Sequence, residues 1–196
     1  MFKFKKQNNK LEILFPKERS RGFTLLETVV AMGIFLVVMT VTMGAFLLTI
    51  KAQRVALTEK AVAENINFAT EFMSRQMRVV KRDSLGVCIT PNNTYETTGS
   101  DISFLNANDE CIRFFLLNSE IVYENITAGS GSISLTNGGL VAINNLNFTI
   151  RGEANSDLEQ PRVTISIMAQ GAGSKPEAQG VKLNIQTSVS ARALDI

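Results

Sequence analysis

The sequence predicts an α+β protein in which one long N-terminal helix packs against a C-terminal antiparallel β-sheet domain. Two observations carry this prediction. Residues 51–82 contain neither proline nor glycine, and no stop signal separates them from the apolar segment that precedes them. After residue 83, turn-forming residues become frequent and separate short runs with strand character. The 196 residues therefore divide into four predicted regions, with the bounds 1–22, 23–50, 51–82 and 83–196.

The first region, residues 1–22, is a polar and basic leader. It holds seven basic and two acidic residues, a net charge of +5, whereas the rest of the chain has a net charge of −3. The positive-inside rule predicts that this leader stays in the cytoplasm and that the C-terminal body crosses the membrane. Because the basic charge belongs mostly to the leader and the body offers no basic stripe, the sequence requires no nucleic-acid contact.

The second region, residues 23–50, is apolar. Its last 23 positions, 28–50, carry no charge. A helix of that length is about 34 Å long, which is enough to cross a hydrocarbon core of about 30 Å. The segment is therefore a candidate transmembrane helix; it is either a plain single-pass anchor or a helix that packs against the helices of other subunits.

The third region, residues 51–82, predicts an amphipathic helix that continues the apolar one, so that a single helix runs from about 24 to 82. Its predicted buried face follows a spacing of three or four and is widened by two further apolar residues. The face consists of Val62, Ile66, Ala69, Met73, Gln76 and Val80, with Phe72 and Met77 beside them. Such a face has to be buried, and a sheet is its natural cover.

The fourth region, residues 83–196, predicts that sheet. Strands are expected near 102–105, 111–117, 120–125, 132–136, 140–150, 162–169 and 181–193. The second and third of these form a predicted hairpin through Asn118 and Ser119. In the last, every second residue from Val181 to Ala191 shares one face, which is typical of an antiparallel sheet with one side on the core.

The chemistry-bearing residues are few. The chain has no histidine and only two cysteines, Cys88 and Cys111, so no metal site and no cofactor is expected. Both cysteines lie in the part predicted to be exported, where oxidising conditions favour a disulfide over two buried free thiols. Without a nucleophile and a base in a recognisable arrangement, the chain is predicted not to be an enzyme.

The most informative stretch is Arg-Ser-Arg-Gly-Phe-Thr-Leu-Leu-Glu at 19–27, directly ahead of the apolar run. A basic leader that ends in Gly22, followed by Phe23, Thr24, Leu25, Leu26 and Glu27, resembles the leader junction of type IV pilins and pseudopilins. The resemblance implies that a prepilin peptidase cuts between Gly22 and Phe23 and methylates the new amine of Phe23. A glycine there fits, because it leaves the backbone open to the catalytic groups of a peptidase.

Glu27 is the only charged residue between positions 22 and 50. A carboxylate inside an apolar segment costs several kcal/mol unless it finds a partner. The resemblance implies such a partner, the Phe23 amine of a neighbouring subunit, so that Glu27 would set the register during assembly. The alternative is a carboxylate at the level of the lipid headgroups with access to water.

The resemblance implies a minor pilin or minor pseudopilin that assembles through its N-terminal helix. The general layout is similar to type II secretion pseudopilins of the J type and minor pilins of the PilW type. The implied partners are the prepilin peptidase, other pilin or pseudopilin subunits, the inner-membrane assembly platform and, before assembly, the lipid bilayer. The protein would be a single-pass protein of the cytoplasmic membrane before it joins a filament. A membrane-anchored binding or adhesion module that never polymerises predicts the same topology.

Overall fold

A computed structural model describes residues 22–153, 159–172 and 180–192 of the chain. The predicted leader cleavage product, 1–22, lies outside these residues except for Gly22. The described residues form two units, divided between Phe46 and Leu47. The predicted division into four regions stays a prediction.

In the first unit, the described backbone enters a helix at Leu25. This helix, α1, extends over Leu25–Arg78. Every side chain from Gly22 to Thr49 is exposed. The hydroxyls of Thr28, Thr40 and Thr42 each donate a hydrogen bond of 2.8–3.0 Å to the backbone carbonyl three residues earlier. These polar atoms are therefore satisfied within the helix, which an apolar surrounding requires.

In the second unit, the buried face of α1 confirms the predicted amphipathic pattern with one change. Val62, Ile66, Ala69 and Met73 are fully buried. Gln76 was predicted on this face, but Gln76 is only half-buried and Met77 takes the buried position instead. Four residues separate Met73 from Met77, which keeps both on one helical face and spares the Gln76 amide the cost of burial.

The helix ends four residues earlier than the sequence predicted. The Val79 N–H bonds to the Gln76 carbonyl at 3.3 Å, a short three-residue turn, and the Lys81 N–H then bonds to the Leu105 carbonyl at 2.9 Å. Because the backbone groups from Lys81 onward find partners in the sheet domain, the chain leaves the helix here.

Five strands form the first antiparallel sheet, in the order β1-β2-β3-β4-β5. Their bounds are Glu96–Thr97, Ile102–Leu105, Cys111–Leu117, Glu120–Asn125 and Ser132–Ser134. The predicted hairpin between β3 and β4 is confirmed. Asn118 and Ser119 both adopt positive φ, 49° and 63°, which is the turn geometry that matches the twist of a two-residue hairpin. The two-residue β1 was not predicted.

Three further strands form a separate antiparallel sheet, in the order β6-β7-β8. They span Val141–Arg151, Arg162–Gly171 and Lys182–Ser190. The sequence did not predict the division into two sheets, in which β6 pairs with β7 and not with the first sheet. Two backbone bonds connect the sheets locally, from Ile143 N–H to the Ser119 carbonyl at 2.8 Å and from Phe148 N–H to the Gly99 carbonyl at 2.7 Å.

The core lies between the buried face of α1 and the inner faces of both sheets. An aromatic cluster fills the part under the first sheet. The Phe72 ring of α1 meets the Phe114 ring edge-on at 6.2 Å and the Tyr123 ring at 5.5 Å, and Tyr95 packs on Phe104 at 6.0 Å. Edge-to-face contacts of this kind stabilise beyond the area that they bury. The fold predicted from the sequence, a helix against antiparallel strands, is thereby confirmed.

Candidate functional site

Three non-helical residues, Gly22, Phe23 and Thr24, precede α1. The Gly22–Phe23 peptide bond thus lies outside the helical hydrogen-bond ladder. A Cβ placed at Gly22 would meet no atom within 4 Å. Phe23 is itself 78% exposed. This arrangement presents a short accessible stretch of backbone, which is the form in which a peptidase can bind a substrate.

Thr24 is the N-cap of the helix. The Glu27 N–H donates to the Thr24 hydroxyl oxygen at 3.3 Å, and the Thr28 N–H donates to the Thr24 carbonyl at 3.2 Å. A threonine cap three residues before a glutamate is the pattern of a capping box. From the sequence, Thr24 was predicted only as a residue of the motif. Its spacing from Glu27 was the signal that indicates a structural role as well.

Glu27 lies in the first turn of α1, next to exposed Leu25 and Leu26. A negative charge at this end of a helix is favourable, because the first backbone N–H groups carry a partial positive charge. Cutting before Phe23 would place a new amine just ahead of the Thr24 cap.

The two cysteines form the predicted disulfide. Cys88 and Cys111 are joined across a sequence separation of 23, with their Cα atoms 5.3 Å apart. The bond connects the segment that follows α1 to the first residue of β3.

Asp83 organises the same segment, and the sequence reading missed it. One carboxylate oxygen accepts from the N–H groups of Gly86 and Val87 at 2.8 and 3.1 Å. The other accepts from Cys88 and Ile89 at 2.7 and 3.0 Å. Burial alone would raise the pKa of Asp83, but these four backbone donors outweigh it and lower the pKa to about 2. Asp83 therefore stays ionised and holds the disulfide-bearing loop.

Gly86 was the available signal for this loop. It lies three residues after Asp83 and adopts φ of +71°. A Cβ at this position would come within 2.7 Å of the Pro91 ring. Only glycine fits both the positive φ and the close approach of the Pro91 ring. An aspartate three residues before such a glycine is typical of a side chain that closes a turn.

Tyr95 joins this loop region to the end of α1. Its hydroxyl donates to the Met77 carbonyl at 2.5 Å, which satisfies one of the carbonyls left open at a helix C-terminus. Burial, and secondarily the charge of Glu153, raises the pKa of Tyr95. The Glu153 carboxylate accepts from the backbone N–H groups of Thr94 and Tyr95. The end of the helix, the loop and the end of β6 are thus connected by polar contacts.

Among residues 22–153, 159–172 and 180–192, no three His, Cys, Asp or Glu side chains are grouped as metal ligands would be. One shallow depression on the outer side of the second sheet is lined by polar side chains, with Arg151, Arg162 and Thr164 among them.

One helix in the described part of the chain, α1, has the length and apolar composition needed to cross a membrane. An exposed segment precedes its capped N-terminus, and a strand-rich domain follows it. Residues 17–43 match the family model described as the prokaryotic N-terminal methylation motif. The chain therefore carries the type IV prepilin signature, the mark of proteins processed by prepilin peptidase. No curated protein and no solved structure matches the chain.

Proposed function

We propose that this protein is a minor subunit of a type IV pilus-like filament, cut between Gly22 and Phe23 and assembled through its N-terminal helix. The match of residues 17–43 to the methylation motif carries the proposal. The accessible Gly22–Phe23 bond and the capped first turn at Thr24 support it. The body is then an exported domain, and its disulfide suits an oxidising compartment.

Glu27 drives assembly in this proposal. Its carboxylate is the one charge in an apolar segment whose residues are exposed from Phe23 to Thr49 and need cover from lipid or from other helices. Pairing it with the methylated amine of a neighbour's Phe23 offsets its desolvation only when the two helices are in register. The carboxylate thus favours incorporation at one axial position over others.

The test compares the amount of subunit in sheared filaments for Glu27→Gln and for a matched control, Glu59→Gln. Glu59 is an exposed glutamate later on the same helix. We expect Glu27→Gln to be processed normally but to fall about tenfold or more in the filament fraction, the effect of about 1.4 kcal/mol or more. Glu59→Gln should stay at the wild-type level. Equal incorporation of both variants would contradict the assembly role of Glu27.

Fractionation of the same cells also distinguishes a filament subunit from a membrane-anchored binding module that never polymerises. A filament subunit is recovered in the sheared fraction together with other pilin-like subunits. An anchor stays in the membrane fraction, and wild-type protein found only there would refute the proposed function.

A further inference from the structure

The disulfide joins two cysteines that differ in their access to solvent. Cys88 is half-buried, and the four residues before it, 84–87, are all exposed. Cys111 is the first residue of β3 and is only 6% exposed. Exchange between thiols and disulfides requires a thiolate and an oxidant that can reach each other. The loop that carries Cys88 is therefore the side from which an oxidant can approach this pair.

Contacts that do not involve sulfur hold Cys88 in place. Its backbone N–H donates to one carboxylate oxygen of Asp83 at 2.7 Å, and the Ile89 N–H donates to the same oxygen at 3.0 Å. The Asp83 backbone is fixed in turn, because its N–H donates to the Asn93 carbonyl at 2.9 Å and its carbonyl accepts from the Asn92 N–H at 2.7 Å. The loop is thus closed by hydrogen bonds that a reduced chain can also make.

Cys111 is held in the same way by the first sheet. Its N–H donates to the Thr127 hydroxyl oxygen at 2.8 Å, and it lies opposite Leu105 of β2 in register. The Leu105 carbonyl accepts from the Lys81 N–H at 2.9 Å, two residues before Asp83. This bond connects the strands around Cys111 to the loop of Cys88. The separation of 5.3 Å between the two cysteine Cα atoms, which suits a disulfide, is therefore set by hydrogen bonds of the fold.

We propose that the disulfide forms through Cys88, that Cys111 closes it, and that Asp83 is the positioning residue for the closing step. This inference concerns the oxidation of the chain and goes beyond its function as a filament subunit. The Cys88 thiolate attacks the disulfide of an oxidant and displaces one of its two sulfurs. The Cys111 thiolate then attacks the Cys88 sulfur and displaces the other. Two electrons pass to the oxidant, and the two thiol protons end on its two sulfurs.

Asp83 acts on the second of these steps. The attack by Cys111 is intramolecular, so its rate depends on how well the Cys88 sulfur is kept within reach. The Asp83 carboxylate bonds to the backbone of Cys88 and so holds this residue beside β3. Without that bond the loop has more freedom, and the adduct between Cys88 and the oxidant survives longer before Cys111 displaces the oxidant.

The first experiment measures which cysteine is accessible in the reduced wild-type chain, at full length in detergent micelles. A brief pulse of iodoacetamide alkylates the thiols, and cleavage after Glu96 and Glu110 places the two cysteines on different peptides for mass spectrometry. We expect Cys88 to be alkylated about tenfold faster than Cys111. In urea, where the fold is lost, the two rates should become equal. Equal rates without urea, or faster alkylation of Cys111, would overturn the proposal.

The second experiment follows the closing step with glutathione disulfide as the oxidant. In Asp83→Asn, the glutathione adduct on Cys88 should persist about tenfold longer than in wild type. The control is Ile165→Ala, which truncates a fully buried residue of β7 in the second sheet and lowers stability by another route. Its adduct should have the wild-type lifetime. An unchanged lifetime in Asp83→Asn, or the same increase in both variants, would overturn the role of Asp83. The alkylation of the unmodified chain decides the entry through Cys88 even if Asp83→Asn does not fold.

Discussion

Replacing the buried Asp83 with asparagine tests whether one carboxylate holds the loop after α1. The side chain is 1% exposed and accepts four backbone N–H bonds. Lowering its pKa from 3.8 to about 2 corresponds to about 2.5 kcal/mol of stability at neutral pH. An amide also turns one acceptor into a donor that faces two N–H groups. From the lost charge and the misplaced amide donor together, Asp83→Asn is expected to lower the free energy of unfolding by about 3–5 kcal/mol.

The pH dependence gives this prediction a second readout. Because the pKa of Asp83 is lower in the folded state, its contribution is complete above about pH 5 and is lost as the pH falls through about 2. Wild-type protein should lose about 2 kcal/mol from this group between pH 7 and pH 2. The asparagine variant should lack this part of the acid dependence, since its side chain does not titrate.

The assay is urea unfolding of the full-length chain in detergent micelles, followed by the near-ultraviolet circular dichroism of its two tyrosines. Asp109→Asn is the matched control. Asp109 pairs with Lys81 at 2.9 Å, but its side chain is 70% exposed, so its loss should cost less than about 0.5 kcal/mol. If Asp83→Asn and Asp109→Asn unfold alike, with the same acid dependence, the loop is not held by Asp83.

Three further changes have expected outcomes in the same assay or by circular dichroism. The double variant Cys88→Ala, Cys111→Ala should lose about 3 kcal/mol of stability, because the unfolded chain is no longer constrained by a loop across a separation of 23 residues. An unchanged unfolding midpoint would contradict this. Tyr95→Phe removes the hydrogen bond from the Tyr95 hydroxyl to the Met77 carbonyl and should lower the free energy of unfolding by about 1 kcal/mol. An unchanged free energy of unfolding would show that water replaces the hydroxyl at this carbonyl. Thr24→Ala should fray the first turn and lower the helical signal by a few per cent, with Thr24→Ser as the conservative control that restores it.

The helix and most strands could be predicted because local patterns determine them. The spacing from Val62 to Val80 fixed the buried face of α1, and the alternation from Val181 to Ala191 fixed the faces of β8. Gln76 was assigned to the buried face because spacing alone does not distinguish positions 76 and 77. The cost of burying the Gln76 amide places Met77 on the buried face instead, and this cost arises only where the sheet packs against the helix.

The separation into two sheets could not be predicted, because it depends on which strands pair over long distances. Strand character near 140–150 is equally compatible with pairing to β5 or to β7. The two-residue β1 is too short to leave any pattern. It exists because Glu96 and Thr97 lie in register with Ser103 and Ile102 of β2.

The motif at Gly22–Glu27 could be recognised from its order and its position ahead of the apolar run, and residues 17–43 match the methylation motif. The cleavage, methylation and assembly roles of its residues stay predictions. Asp83 could not be assigned in the same way. Its role depends on the fold of the following six residues, and its sequence signal, a glycine three positions later, is common to many turns.

The most direct test of the account is the mass of the N-terminal peptide of the protein extracted from membranes. We predict a chain that begins at Phe23 with one methyl group on its amine. In a Gly22→Leu variant, the same peptide should remain attached to the basic leader. A wild-type chain that keeps residues 1–22, or one cut after the apolar segment, would contradict the assignment as a processed filament subunit.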